Sequence, residues 1–279
     1  MPISTKLTRA LGITHPLIQG GMHYVGYAPL VAAVSNAGAI GCITALTLPT
    51  PEALQQEIRR CKELTSKPFG VNLTLLPMLS PPNYGAYADV VEEEMRSGQL
   101  RMIETAGHVK GLEPFVKRFK AAGAFVIHKC TAVRHAKTAE RLGVDMISMD
   151  GFECAGHPGE SDIGNWVLLA KAARKLSIPF VASGGCGDGK QLAAALALGA
   201  EGMNMGTRWM ATTEAPLHDN VKQALVDRDE NSTVLVMRSM RNTERVYKNK
   251  AAMDVLETER QHPGDFSKIS HIIKGENYR

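Results

Sequence analysis

Strong charge, long apolar runs and a cysteine pairing pattern are all missing from this sequence. The formal net charge of +4 is too small to argue for a nucleic acid partner. No stretch reaches the roughly 18 apolar residues that a membrane span requires. The opening MPISTKLTRALGI lacks the apolar core of a secretory signal, so neither membrane nor export is expected. The cysteines at 42, 61, 130, 154 and 186 are odd in number, widely spaced and without a Cys-x-x-Cys pair. That argues against a disulfide framework and suits a reducing, cytoplasmic setting. A Gly-x-Gly-x-x-Gly dinucleotide fingerprint is absent too, because GGCGDGK carries lysine at 190; no other motif distinguishes NADH from NADPH.

What is present is 44% apolar residues, enough for one large core or two ordinary ones, arranged in a repeating device. RLGVDMISM (141–149) and ALGAEGMNM (197–205) share Leu-Gly, a small apolar residue, an acid and a Met-rich strand. NAGAIGCIT (36–44) and AAGAFVIHK (121–129) share Ala-Gly-Ala and an apolar run. Each reads as a helix ending on glycine with a buried strand directly behind it. Thr50 with Pro51 starts such a helix, with Leu54, Ile58 and Cys61 on one face. Strands are expected near 16–19, 39–44, 68–74, 101–105, 124–129, 144–149, 178–183 and 201–205. Eight βα units predict an α/β fold, a (β/α)₈ TIM barrel over residues 1–230, with an open doubly wound sheet as the alternative. The spacing breaks only after strand 3, where a proline-rich segment at about 75–100 is expected as a lid-like insertion or a plain surface excursion. Residues 231–279 read as a small helical accessory region. Its basic run of Arg238, Arg241, Arg245, Lys248 and Lys250 reads as a solvated helix face, with an anion or partner contact as the alternative.

Barrel chemistry sits at the C-terminal ends of the strands. At strands 7 and 8, Ser183, Gly184 and Gly185, then Gly206, Thr207 and Arg208, offer backbone and charge for a phosphate, or else two plain turns. Gly20, Gly21 and Met22 form a side-chain-poor surface that suits a planar ring, or an ordinary βα turn. Asn72 brings a donor and an acceptor. Lys129 reads as a Schiff-base former, an anion clamp or an ion-pair partner of Asp150 or Glu153. In GFECAGHPGE, glycines 151, 156 and 159 and Pro158 surround His157. Cys130, Cys154, Cys186 and His157 could together ligate zinc, but they lack local ligand spacing and no metal is expected.

The strings IQGGM, NAGAIG, GVNLTLLP, HKCTAVRHA, GFECAGHPGE, ASGGCGDG and NMGTR resemble the nitronate monooxygenase family, formerly the 2-nitropropane dioxygenases, over about residues 10 to 250. The family's nitronate-oxidising members more often carry Gln-Gly-x-Glu-Ala-Gly-Gly-His where this chain has Asp150, Cys154 and Ala155. HKCTAVRHA and GFECAGHPGE look most like its bacterial NADH:quinone reductase branch. The resemblance implies an FMN-binding barrel. It places Gly20, Gly21, Met22, Asn72, Lys129, Asp150, Ala155, Gly156, Ser183, Gly184, Gly185, Gly206 and Thr207 at the flavin, and His157 as the catalytic residue facing flavin and substrate. NAD(P)H would be the co-substrate and a quinone the acceptor. Alkyl nitronate with O₂ is the alternative, and a flavin-free lyase or isomerase acting through Lys129 is a more remote one. The partners expected are these small molecules, with a homodimer left open. Family members run on beyond the position of Arg279, so whether the C-terminus is truncated there is left open.

Overall fold

The computed structural model describes residues 3–75 and 82–275. Eight parallel strands close into a barrel: β1 (Leu17–Gln19), β2 (Ile40–Thr44), β3 (Phe69–Leu75), β4 (Leu100–Gly107), β5 (Phe125–Cys130), β6 (Met146–Asp150), β7 (Phe180–Ser183) and β8 (Met203–Met205). Closure runs through β1 against β8, with Leu17, Ile18 and Gln19 opposite Met203, Asn204 and Met205. Helix α1 (Lys6–Leu11) precedes the barrel. The ring around it is α2 (Ala28–Asn36), α3 (Pro51–Leu64), α4 (Tyr84–Met95), α5 (Glu113–Ala121), α6 (Val133–Arg141), α7 (Asn165–Lys175) and α8 (Gly189–Ala197), followed by the short α9 (Thr207–Met210) and α10 (Asp219–Asp227).

The repeats in the sequence are the helix-to-strand corners. Gly38, Gly123, Gly143 and Gly199 lie at φ 91°, 88°, 90° and 93°, in the left-handed region where only glycine avoids a Cβ clash. Each is followed within a few residues by β2, β5, β6 or β8. At the other end of a helix, Thr50 accepts a hydrogen bond from the Ala53 N–H at 3.2 Å, ahead of Pro51 at the first turn of α3.

Two layers fill the barrel, and the step of two along a strand relates them. The lower layer is apolar: Ile18, Cys42, Met102, Ile127, Met146 and Val181 form one buried cluster, closed from below by Leu7 and Leu11 of α1. Two residues further along each strand stand Gly20, Thr44, Glu104, Lys129, Ser148 and Ser183. The same alternation that buries the core thus lifts a polar or empty layer to the C-terminal mouth.

Of the region expected as an insertion at 75–100, residues 76–81 lie outside the described residues. Helix α4 behind them is an ordinary member of the ring, with Tyr87, Ala88, Val91 and Met95 buried in the main core cluster. The region after 231 departs from the helical expectation in its first half. There β9 (Thr233–Val236) and β10 (Glu244–Tyr247) pair antiparallel, and only then do α11 (Lys250–Gln261) and α12 (Phe266–Gly275) follow. Val236, Met237, Ala252, Val255 and Ile269 form the small core of this accessory unit.

Candidate active site

Two cavities open at the mouth and share a wall. The first, about 640 Å³, runs from Gly20–His23 across Ser183–Gly187 to Asn204–Arg208. The second, about 460 Å³, is bounded by the end of β4 and its following loop, by His128, Cys130, Thr131 and His135, and by His157 and Arg241–Thr243. Lys129, Asp150, Ala155 and Gly156 line both.

The first cavity is rich in glycine, with Gly20, Gly21, Gly184, Gly185, Gly187 and Gly206 among its lining. Gly20 and Gly21 can carry no side chain: a Cβ at Gly20 would overlap the Asn204 amide, and one at Gly21 the Asn72 amide. The Met22 N–H donates to Thr44 Oγ1 at 2.8 Å, and that hydroxyl donates back to the Met22 carbonyl at 3.0 Å, so the turn after β1 is pinned. Across the cleft, the N–H groups of Gly185, Cys186, Gly206 and Thr207 have no hydrogen-bond partner among the described residues. Arg208 and Arg245 are the cations along this wall. Gly184 and Gly185, at φ 88° and 66°, are required for a second reason. A Cβ at Gly184 would lie 2.8 Å from the Cys154 nitrogen, and one at Gly185 3.0 Å from the Glu153 Cβ. They let the β7 turn nest against the loop after β6, as well as leaving backbone open.

Under the cleft lies a buried polar chain. Glu104, with 0% exposure, accepts from the Gly21 N–H at 2.8 Å, Asn72 Nδ2 at 2.7 Å and Asn204 Nδ2 at 2.6 Å. Asn204 Nδ2 also reaches Ser148 Oγ at 3.2 Å, and that hydroxyl donates to Asp150 Oδ1 at 2.8 Å. Lys129 Nζ stands 3.3 Å from Asp150 Oδ2. Burial pushes the Lys129 ammonium toward losing its proton, but Asp150 and Glu104 outweigh that and hold its pKa above the ordinary lysine value. Of the three readings open for Lys129, the ion pair with Asp150 is the one observed. Asn72 does not line either cavity: its NH₂ is taken by Glu104 and its carbonyl accepts from Thr74 Oγ1 at 3.0 Å, behind Gly21. Asn204, which opens the NMGTR string but was not among the expected site residues, lines the first cavity.

His157 is exposed, faces the second cavity and makes no hydrogen bond to the described residues, so it does not serve the loop as an internal tie. The loop is held from outside by the accessory hairpin. Gly156 and Arg245 exchange backbone hydrogen bonds at 3.0 and 2.7 Å. The Arg245 guanidinium donates to the Phe152 carbonyl at 3.0 and 3.3 Å and lies 4.8 Å from that ring's centre. Thr243 gives both its N–H (2.8 Å) and its hydroxyl (2.7 Å) to Glu160, and Arg238 pairs with Asp162 at 2.7 Å. The basic run is therefore not a helix face: Arg238 and Arg245 fasten the His157 loop, and Arg241 borders the second cavity. The β-branched and aromatic residues of TVLV and ERVY, on either side of a short polar turn, were the available signal for these strands. Among the described residues, no group of three or more His, Cys, Asp or Glu is placed to hold a metal ion, and no helix is long and apolar enough to cross a membrane.

The family description "Nitronate monooxygenase" matches residues 4–275. The chain belongs to the nitronate monooxygenase family. Among its curated relatives in and around that family is the (3aS,4S,5R,7aS)-5-hydroxy-7a-methyl-1-oxo-octahydro-1H-indene-4-carboxyl-CoA dehydrogenase of Mycobacterium tuberculosis, 36% identical over 241 residues, covering 85% of this chain and 64% of that protein. A probable nitronate monooxygenase of Staphylococcus haemolyticus is 31% identical over 273 residues, covering 83% and 74%. Among solved structures, FabK from Thermotoga maritima superposes with a TM-score of 0.85 at 32% identity, covering 94% of this chain and 80% of that one. The chain spans less than two thirds of the length of the first of these relatives. Within the nitronate monooxygenase family, then, this chain keeps the barrel and presents a glycine-rich cleft beside a histidine-lined one.

Proposed function

We propose that this chain is an FMN-dependent oxidoreductase in which reducing equivalents from NAD(P)H are delivered to a quinone. The observation that carries the reading is the shared wall: one cavity suited to a flavin and one suited to its reaction partner meet at Lys129, Asp150, Ala155 and Gly156. The first cavity fits FMN on its own terms. Gly20 and Gly21 leave a flat strip where a Cβ would collide. The free N–H groups of Gly185, Cys186, Gly206 and Thr207, with Arg208 nearby, match a phosphate monoester. Met22, Ser183 and Asn204 complete the lining. Bound FMN would supply the two-electron, hydride-accepting chemistry that no side chain here offers. Asp150, 3.3 Å from Lys129 Nζ, favours the charged ammonium at the junction, which in turn favours negative charge beside it. His157 stands on the second cavity to donate a hydrogen bond or a proton to the acceptor oxygen.

The same charge on Lys129 speaks against a lyase or isomerase working through a reactive amine, since a Schiff-base lysine must be deprotonated to attack. The named relatives support two other reactions on this framework, oxidation of an alkyl nitronate with O₂ as the acceptor and oxidation of a CoA-linked substrate. Purified protein should be yellow, and mass spectrometry should find FMN as the released flavin; FAD alone, or no flavin, would defeat the reading. Anaerobic mixing with NADH, followed by steady-state comparison of NADH with benzoquinone against propyl nitronate with O₂, separates the reactions.

A further inference from the structure

We propose that Glu104 is a positioning residue that orients and charges the floor of the cofactor cleft. The inference rests on the flavin reading of that cleft and adds a residue to it. Glu104 is fully buried near the barrel axis, where an acid side chain is found only with compensation. Three N–H donors converge on it, from the Gly21 backbone, Asn72 and Asn204, at 2.6–2.8 Å. A carboxylate offers acceptors only. It therefore draws in the NH₂ groups of both amides, and their carbonyl oxygens must point elsewhere. Asn72 spends its oxygen on Thr74. Asn204 carries its oxygen against Gly20, on the wall of the first cavity. The third donor, Gly21 N–H, fixes the glycine strip itself. One carboxylate thus sets both a backbone strip and the orientation of the Asn204 amide packed against it.

Its charge has a second consequence. Glu104 lies close enough to Lys129 to support the ammonium together with Asp150. The junction is therefore framed by a cation at the shared wall and an anion below the floor, with opposite effects on any group that gains negative charge on reduction.

The test is Glu104→Gln, which keeps size and removes the charge, beside Lys129→Met. Flavin midpoint potential and flavin dissociation constant are read for both, with turnover only as a check. Glu104→Gln is expected to raise the potential, Lys129→Met to lower it. Because a glutamine side chain presents its own NH₂ to one of the two amides, flavin affinity in Glu104→Gln should also fall about ten-fold. An unchanged or lower potential with wild-type affinity would overturn the proposal. If Glu104→Gln does not fold, Glu104→Asp decides: charge kept but reach shortened should weaken flavin binding at near wild-type potential, and wild-type affinity would reject the positioning role. Failure of the wild-type protein to bind flavin would instead sink the flavin reading itself.

Discussion

The two cavities at the barrel mouth are built from different materials. The first sets many glycines and open main-chain N–H groups among its side chains, and the turn at its base is held by a carboxylate outside its lining. The second is walled by side chains, among them His108, His128, His135, His157 and Arg241. Backbone cannot be changed by substitution without changing the fold, whereas side chains can be exchanged one at a time. A cleft of the first kind suits a ligand that stays constant, and one of the second kind a ligand that differs between relatives. Relatives named for a nitronate and for a CoA-linked substrate fit that division.

The largest effect should come from adding a side chain to the constant cleft. Gly21→Val would drive a branched side chain into the Asn72 amide and off the Glu104 tie. Flavin retention should be lost while far-ultraviolet circular dichroism still reports the barrel; a yellow, fully loaded variant would show that the strip is not the ring's seat.

Acid should distinguish the cavities next. Burial holds the His128 pKa down at about 4, whereas an unfolded histidine titrates near 6.5. Between those values the unfolded chain binds the extra proton, so stability is full above about pH 6.5 and declines as pH falls toward 4. The loss is at most roughly 3 kcal/mol. Denaturant melts across that range should show it, and His128→Asn should flatten the slope. A slope that survives in the variant would place the acid sensitivity elsewhere.

His157→Ala should leave flavin content intact and slow the acceptor half-reaction about 10²-fold, with little change in reduction by NADH. Stopped-flow traces of both halves measure this. Equal slowing of the two would mean that the divide between the cavities is not a functional one.

The smallest effect concerns the clamp. Arg245→Ala removes the guanidinium bonds to the Phe152 carbonyl and its ring contact, but not the main-chain bridge to Gly156. A cost of about 1–2 kcal/mol in stability and a few-fold rise in acceptor KM are expected, with flavin affinity unaltered. Weakened flavin binding would show instead that Arg245 acts on the first cavity, which it also borders.

The glycine-rich cleft was largely legible as text, because its glycines cluster at strand ends that a barrel brings to one mouth. Gly20, Gly21, Gly184, Gly185 and Gly206 all stand at one mouth. Glu104 was not legible. It sits as one acid in RMIETAGHVK, and nothing local separates a buried acid from a solvent-facing one. Its meaning comes from Asn72 and Asn204, 32 and 100 residues away. Asn72 is expected at the polar edge of the ring; in the structure its NH₂ is held by Glu104 and its carbonyl by Thr74, behind Gly21. The basic run after 237 was misread because charge density suggests a solvated helix, while β10 is shaped by its bridge to Gly156 and by the Glu160 and Asp162 carboxylates.

Local sequence by itself determined the barrel: where helices stop on left-handed glycines, where strands follow, and which strand ends are bare. Those are properties of a few neighbouring residues, governed by backbone sterics and the two-residue alternation of a strand. Only the tertiary structure decided which polar groups meet on the barrel axis, that Lys129 pairs with Asp150, and that a distant hairpin grips the His157 loop. Those outcomes depend on distances between strands that are far apart in the chain, and electrostatics and hydrogen bonds act across space without regard to sequence separation.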